Sequence, residues 1–421
     1  MTNLKKIYII GGGTFNHVRT HLSLSVPAFG TTAKQLYEIA KNRFTKLETK
    51  LVLTKMANSN SDIITNDDVE NWINTITNLN DTKIVFFNVA LCDYEGSIEG
   101  DNSGKYARRL ETSEGETVMN IKPSKKLVSK IREKRKDIFL CAFKTTSGAS
   151  EQEMYLKGLK LLKTSHCNLV LVNDVQTRLN LIITPEEAKY SVTNDRDAAL
   201  KELIEIAYHR SHLSFTRSTV VSGDPVDWNS NEVYPSLREI VNYCITRNAY
   251  KPFNGATVGH FACKINDTTF LTSIRKTNFN DINKNGLVKV VTDGPDSVIA
   301  YGAKPSVGGQ SQRLIFSQHG DMDCIVHFHC PIKPTSKVPV VSQREFECGS
   351  HECGQNTSSG LGKFNNGKIL AVMLDNHGPN IVFNHNINPQ EVIDFIEENF
   401  ILEEKTGGFV QIELKQPETA L

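Results

Sequence analysis

The stretch KIYIIGG, Lys6 to Gly12, decides how the first half of this chain folds. An unbroken apolar run that ends in glycines reads as a strand buried on both faces and closed by a turn. Runs of the same kind recur as KIVFFNVALCDY from Lys83, IFLCAFKTT from Ile138 and CNLVLVND from Cys167. Between them, AKQLYEIAKNRF, KKLVSKIREKRK and EMYLKGLKLLKTS carry helical spacing, and DAALKELIEIAYHR reads as a closing helix. Strands alternating with helices predict an α/β fold, here a Rossmann-like, mostly parallel sheet with helices on both faces. In such sheets ligands gather at the carboxyl ends of the strands. The glycines, Asp93-Tyr94 and Asn173-Asp174 all fall at those ends.

The chain has 421 residues, enough for two domains or more at roughly 100–200 residues each. Lys plus Arg number 48 against 47 for Asp plus Glu, a net charge of +1. That balance offers no general basic field for nucleic acid or anionic lipid, so neither is expected as a partner. Nine scattered cysteines, an odd number, suit reduced thiols in a reducing compartment. The four apolar residues after the basic start fall short of the roughly 7–15 of a signal peptide. No apolar run reaches about 18 residues, so no spanning helix is expected. The expected setting is cytoplasmic.

The turn-forming stretch SFTRSTVVSGDPVDWNSN shows no sustained period. It predicts a linker at 216–229, between domains at 1–215 and 230–421. The second half opens with a helix, SLREIVNYCITRN. Short strands follow (HFACKI, TFLTSI, LVKVVT, CIVHFHC, ILAVML, NIVFN), and a final helix, PQEVIDFIEENFI, closes it.

Within CIVHFHC, His327 and His329 are two apart, so on a strand they share a face. Neutral imidazoles suit zinc, which catalytic sites hold with three protein ligands and an open position. His377 follows the strand ILAVML and precedes a glycine, so it stands at a strand end. The bland alternative is an incidental strand pair. A competing zinc set is Cys348, His351 and Cys353 in CGSHEC. In the first half, GGGT could let backbone N–H groups approach phosphate. Its spacing fits neither a P-loop nor Gly-x-Gly-x-x-Gly, and a simple tight turn explains it equally well.

Over Ser236 to Phe400, the segments GHFACK, FLTS, KPSVG, IVHFH, VPVVSQREFECGSHE and DNHG resemble, in order and spacing, the class II aldolase and adducin family. The resemblance implies an α/β/α domain with a largely antiparallel sheet. It also implies a zinc or similar divalent ion on His327, His329 and His377, polarising a carbonyl and a neighbouring hydroxyl oxygen. Substrate would be bound by Ser306, Thr272, Ser273, His260 and Lys264. The chain departs from the pattern at Val307, which replaces a phosphate-binding serine, and at Gly308, which stands at the family's acid/base carboxylate. His260 and Lys264 replace the family's asparagine and arginine. Glu347 is a carboxylate nearby in the sequence.

Over Lys6 to Arg210, GGGT, VRTHLSLSVPAFG, NVALCDY, GKYARR, CAFKTT and LVLVND resemble the phosphopantothenate–cysteine ligase fold, the synthetase part of the coenzyme A flavoprotein family. That family activates a carboxylate as an acyl-nucleotide, which an amine then attacks. The resemblance implies a nucleotide triphosphate with Mg2+, bound among Gly12, Gly13, Thr14, Asp93, Lys105, Arg108, Arg109, Phe143, Asn173 and Asp174. Ser23 stands where the family has its catalytic-loop asparagine, and Val26-Pro27 replace Ser-Gly.

Together these readings predict a bifunctional metabolic enzyme acting on small-molecule substrates, ligase-like in one half and a metal-dependent aldolase-like lyase in the other. The alternative is a catalytically diverged metal- and nucleotide-binding module. The aldolase-like resemblance implies rings of four and the ligase-like one pairing as dimers, so a homo-oligomer, a tetramer or a multiple of it, is expected.

Overall fold

The computed structural model describes residues 6–98, 103–307, 309–364 and 367–407. Among them, 6–184 and 190–212 form one compact unit, and 185–189 with 213–407 form another.

The first unit begins with β1 (Lys6–Gly13), a hairpin of β2 (Phe15–Arg19) and β3 (Leu22–Ser25), then α1 (Thr31–Arg43), β4 (Glu48–Leu53) and α2 (Asn66–Asn78). Next come β5 (Lys83–Ala90), a second hairpin of β6 (Tyr94–Ile98) and β7 (Met119–Pro123), α3 (Val128–Lys134), β8 (Phe139–Thr146) and α4 (Glu151–Ser165). It ends with β9 (Leu169–Asp174), β10 (Asn180–Ile183), β11 (Lys189–Thr193) and α5 (Arg196–Arg210). Seven strands form one sheet in the order β11-β10-β9-β8-β5-β1-β4. The ladders from β4 through β9 are parallel, and β10 turns back antiparallel on β9. Helices α1 and α5 touch each other on one face, and α2, α3 and α4 cover the other. Ile7, Ile9, Ile10, Val85 and Leu140 are fully enclosed between these layers. Capping boxes start two of the helices, Thr65 with Asp68 on α2 and Ser150 with Glu153 on α4.

The second unit contains β12 (Arg217–Val221), α6 (Pro235–Thr246), the short pair β13 (Pro252–Phe253) and β14 (Ala256–Thr257), β15 (His260–Asn266) and β16 (Thr269–Ser273). It continues with α7 (Ile282–Asn285), β17 (Leu287–Thr292), β18 (Ser297–Tyr301), α8 (Gly309–Gln318), β19 (Cys324–His327) and β20 (Val340–Val341). Its last elements are α9 (His351–Leu361), β21 (Ile369–Leu374), β22 (Gly378–Phe383) and α10 (Pro389–Asn399). Nine strands make a largely antiparallel sheet in the order β12-β18-β17-β16-β15-β19-β22-β21-β20. Alternate side chains go to opposite cores. Phe261, Val326 and Ile381 pack with residues of α6 and α10, while Ala262, Ile325 and Val382 pack with residues of α8 and α9. The chain is thus an α/β protein with a Rossmann-like sheet in one unit and an α/β/α sandwich in the other.

The expected linker at 216–229 needs correction. Residues Arg217–Val221 are β12, parallel to Ser297–Tyr301, and Trp228 is buried at 1% exposure. The strand is held through its backbone while most of its side chains stay exposed, so no apolar alternation announces it.

All nine cysteines are free, and all but Cys348 are buried. No helix among the described residues is long and apolar enough to cross a membrane.

Candidate metal centre and its surroundings

Strand β19 lies between β15 and β22, with His327 opposite His260 on one side and Asn380 on the other. Both neighbours come unusually close at this end. A Cβ on Gly378 would stand 2.1 Å from the Phe328 carbonyl oxygen, and one on Gly259 would stand 2.5 Å from that of His327. Gly259 also has a φ of +113°, which favours glycine. These glycines let three backbones close around the His-x-His segment. His329 lies two residues beyond the end of β19, where its carbonyl accepts from the Thr406 amide at 3.0 Å.

The structure brings His327, His329 and His377 together, with ligand atoms all within 4.8 Å of one another. Their exposures are 2%, 8% and 3%. Nδ1 of His327 donates to the Pro379 carbonyl at 2.7 Å, which leaves Nε2 as its ligand atom. Burial pushes the His327 imidazole down to about 4, against a smaller upward pull from that bond. Burial, then the neighbouring His377 and His327, hold His329 well below the ordinary histidine range. Three imidazoles at this separation are the kind of donor set a zinc-like ion takes. Among the described residues no other such cluster forms, and Cys348, His351 and Cys353 do not make one.

A fourth histidine adjoins the three. The His260 ring stacks on His327 with centroids 4.6 Å apart, and its Nδ1 lies 2.8 Å from Nε2 of Gln312 on α8. Gln312 is fully buried. Nothing in the sequence pattern singled it out.

Ser306 lines a cavity of about 250 Å³ together with Arg275, Val307, Glu347, Cys348 and an apolar wall that includes Phe215 and Phe270. Arg275 Nε donates to the Pro305 carbonyl at 3.3 Å, and burial lowers the guanidinium pKa. No carboxylate pairs with Arg275 among the described residues. Sequence reading missed this arginine, although it follows FLTS by only two residues.

Three expected substrate residues lie outside this cavity. Thr272 and Ser273 are fully buried and do not line the cavity. Thr272 Oγ1 donates to the Phe261 carbonyl, while the Ser273 carbonyl holds the Ser306 amide at 3.0 Å. Lys264 sits four residues from His260 on β15, roughly 13 Å at strand spacing, and pairs with Asp267 at 2.9 Å. Gly308 lies outside the described residues.

In the first unit Gly12, Gly13, Thr14, Asp93, Phe143, Asn173 and Asp174 stand at or near the carboxyl ends of β1, β5, β8 and β9, while Lys105, Arg108 and Arg109 lie between β6 and β7; several are occupied within the fold. A Cβ on Gly13 would meet the Val26 carbonyl oxygen at 2.0 Å, and one on Gly12 would meet Thr54 Oγ1 at 2.2 Å. Thr14 Oγ1 donates to Asn66 Oδ1 at 2.7 Å and accepts from the Cys92 amide at 2.8 Å. Asp174 accepts from the amides of Gly148, Ala149, Gln176 and Thr177 and from the Thr146 hydroxyl. Those bonds, that of the Thr177 amide foremost, hold its carboxyl far below the usual range. Gly12, Gly13, Thr14 and Asp174 thus have packing and turn-forming roles within the fold. Asn173 Oδ1 is 3.5 Å from Thr145 Oγ1, Phe143 is half-buried, and Asp93 pairs with Lys126 at 2.7 Å. Lys105, Arg108 and Arg109 remain exposed, with Arg108 3.6 Å from Glu111.

No family model matches the chain, and no curated protein sequence matches it. Among solved structures, the chain is similar to the DNA/pantothenate metabolism flavoprotein from Streptococcus pneumoniae, at 18% identity over 49% of this chain and 100% of that one, with a TM-score of 0.39. It is similar to the C-terminal domain of the coenzyme A biosynthesis bifunctional protein CoaBC at 16% identity, over 48% of this chain and 94% of that one, with a TM-score of 0.37. It is similar also to L-fuculose 1-phosphate aldolase at 16% identity, over 40% of this chain and 85% of that one, with a TM-score of 0.30.

Proposed function

We propose that this chain is a two-part metabolic enzyme. The second unit holds one divalent ion, zinc foremost, on His327, His329 and His377. It acts on a small substrate with a carbonyl or hydroxyl group at one end and an anionic group at the other. The observation that carries this reading is the meeting of three buried imidazoles within 4.8 Å. When bound, such an ion polarises a carbonyl oxygen and stabilises negative charge on it.

The chain's own residues prepare the site. The Pro379 carbonyl fixes the tautomer of His327. Gln312 holds His260 against His327. Arg275 and Ser306 take the anionic end of the substrate in the cavity they line. Burial keeps the His327 and His329 imidazoles unprotonated at neutral pH, so no proton competes for their lone pairs.

The first unit binds a nucleotide triphosphate with Mg2+ for a carboxylate–amine ligation, with Lys105, Arg108 and Arg109 as exposed cations for its phosphates. The chain assembles as a homo-oligomer, a tetramer or a multiple of it. A second reading, metal binding without turnover, is favoured by the glycine at 308 in place of a carboxylate.

Elemental analysis of purified protein tests the metal, with one ion per chain expected and a sharp fall in His329→Ala. Unchanged metal in that variant would falsify the site. Turnover of sugar phosphates by the loaded protein separates the enzyme from the silent module. Calorimetry of the full chain with each nucleotide and magnesium tests the first unit, and light scattering tests assembly; no heat, or a monomer, removes the corresponding claim.

A further inference from the structure

The hairpin of β2 and β3 rises at the carboxyl end of β1 and has two faces. Asn16, Val18 and Leu24 form one, packed on β6. Asn16 Oδ1 accepts from the Gly96 amide at 2.9 Å, and a Cβ on Gly96 would run into Val18 and Leu24. The opposite face carries Phe15, His17, Ser23 and Ser25, because Phe15 pairs with Ser25 and His17 with Ser23 across the ladder. On that face His17 Nδ1 lies 2.9 Å from Ser23 Oγ. The Phe15 ring is nearly parallel to the imidazole, 4° off with centroids 6.3 Å apart.

A carboxylate stands near the pair. Asp68 Oδ2 takes bonds from the Ile64 amide and from the amide and hydroxyl of Thr65. Burial works upward on this carboxyl, but the bonds from Thr65 and Ile64 hold it below its ordinary value. His17 and Ser23 are each half-buried, so a ligand can reach them.

We propose that Ser23 is an acyl-accepting nucleophile with His17 as its base, a reactive centre separate from the histidine cluster. Its substrate class is an activated acyl group, a mixed anhydride or an ester. Ser23 Oγ bonds to the acyl carbon and its proton passes to His17 Nδ1; the bond from that carbon to the leaving oxygen breaks, the electron pair stays with the leaving oxygen, and His17 gives its proton to that oxygen or to solvent, which returns the imidazole to its neutral form. Water or an amine then attacks the ester. His17 takes the attacker's proton and returns one to Ser23 as the acyl group departs. The inference rests on the ligase-like reading only where the acyl donor is an acyl-nucleotide.

The test mixes the full-length protein with p-nitrophenyl acetate, with no nucleotide or metal added, and locates the acetyl group by peptide mass mapping. A burst of p-nitrophenolate and an ester on Ser23 are expected. Ser23→Ala abolishes both, and His17→Gln slows acylation about 100-fold or more. Ser23→Cys restores acyl transfer as a thioester. Neither side chain is buried, so each variant should melt with the wild type. A wild-type chain with no acetyl group on Ser23, or His17→Gln acylated as fast as wild type, overturns the proposal. A chain that acylates Ser23 yet binds no nucleotide keeps this centre and loses the ligase-like reading, and the converse result does the opposite.

Discussion

Nδ1 of His327 donates to the carbonyl oxygen of Pro379, 2.7 Å away on the neighbouring strand. The acceptor is backbone, so no side-chain substitution can remove it directly. The ring's orientation depends instead on how closely β22 approaches β19, and one residue controls that approach.

Gly378→Ala should therefore injure both fold and centre. Its new Cβ would stand 2.1 Å from the Phe328 carbonyl oxygen and 3.2 Å from the His329 Cα. Overpacking of this kind costs roughly 1–3 kcal/mol. A lower melting temperature and weaker metal retention against a chelator are expected. Gly362→Ala is the control, since its nearest contact is an ordinary 3.7 Å to the Ser359 carbonyl oxygen.

Metal-free protein should lose stability in mild acid. Burial holds His327 down to about 4 in the folded chain, against about 6.5 when unfolded. Between those values the unfolded state binds more protons, so stability falls as pH drops through that window. For this one group the gap corresponds to roughly 3 kcal/mol. His329 and His260 shift in the same direction. Urea midpoints measured with chelator at pH 7 and pH 5 check this, and equal midpoints contradict it.

Arg275→Ala should weaken binding of an anionic substrate about 10–100-fold, the range for a lost charge-assisted hydrogen bond. Inorganic phosphate serves as the probe, by calorimetry. Metal content should stay at the wild-type level, because no histidine of the cluster lines this cavity.

Asp174→Asn should lower the melting temperature without touching the second unit's metal. The amide it introduces brings N–H donors to a pocket already filled with them, from Gly148, Ala149, Gln176 and Thr177. The folded carboxyl titrates far below the unfolded one, so its contribution is present above the unfolded pKa and fades as pH falls toward the folded value. A wild-type melting curve at pH 7 would contradict this.

The alternation of apolar strands and amphipathic helices was legible because burial on both sheet faces leaves a mark on composition. β1, β5, β8 and β9 are enclosed runs that any register would show. β12 left no such mark, since its side chains mostly face solvent. That His327 and His329 share a face was legible from strand parity, and His377 from its glycine turn. Gln312 was not, because an amide on a helix carries no pattern until its partner is known. The turn held by Asp174 was not legible either: a polar residue at a strand end marks a ligand site and a turn equally well, and the bonds it makes leave no trace in the sequence.

The buried thiols have a use beyond packing. Alkylating reagents attack the thiolate, and burial raises the pKa of Cys141, Cys167, Cys244, Cys263, Cys324, Cys330 and Cys353. In the folded chain these sulfurs are chemically silent. They become reactive only while the surrounding structure is open. Modification at Cys141 and Cys167 thus clocks excursions of the first unit, and modification at the other five clocks those of the second. The chain carries its own untagged stopwatch for each half, readable in one mass spectrum.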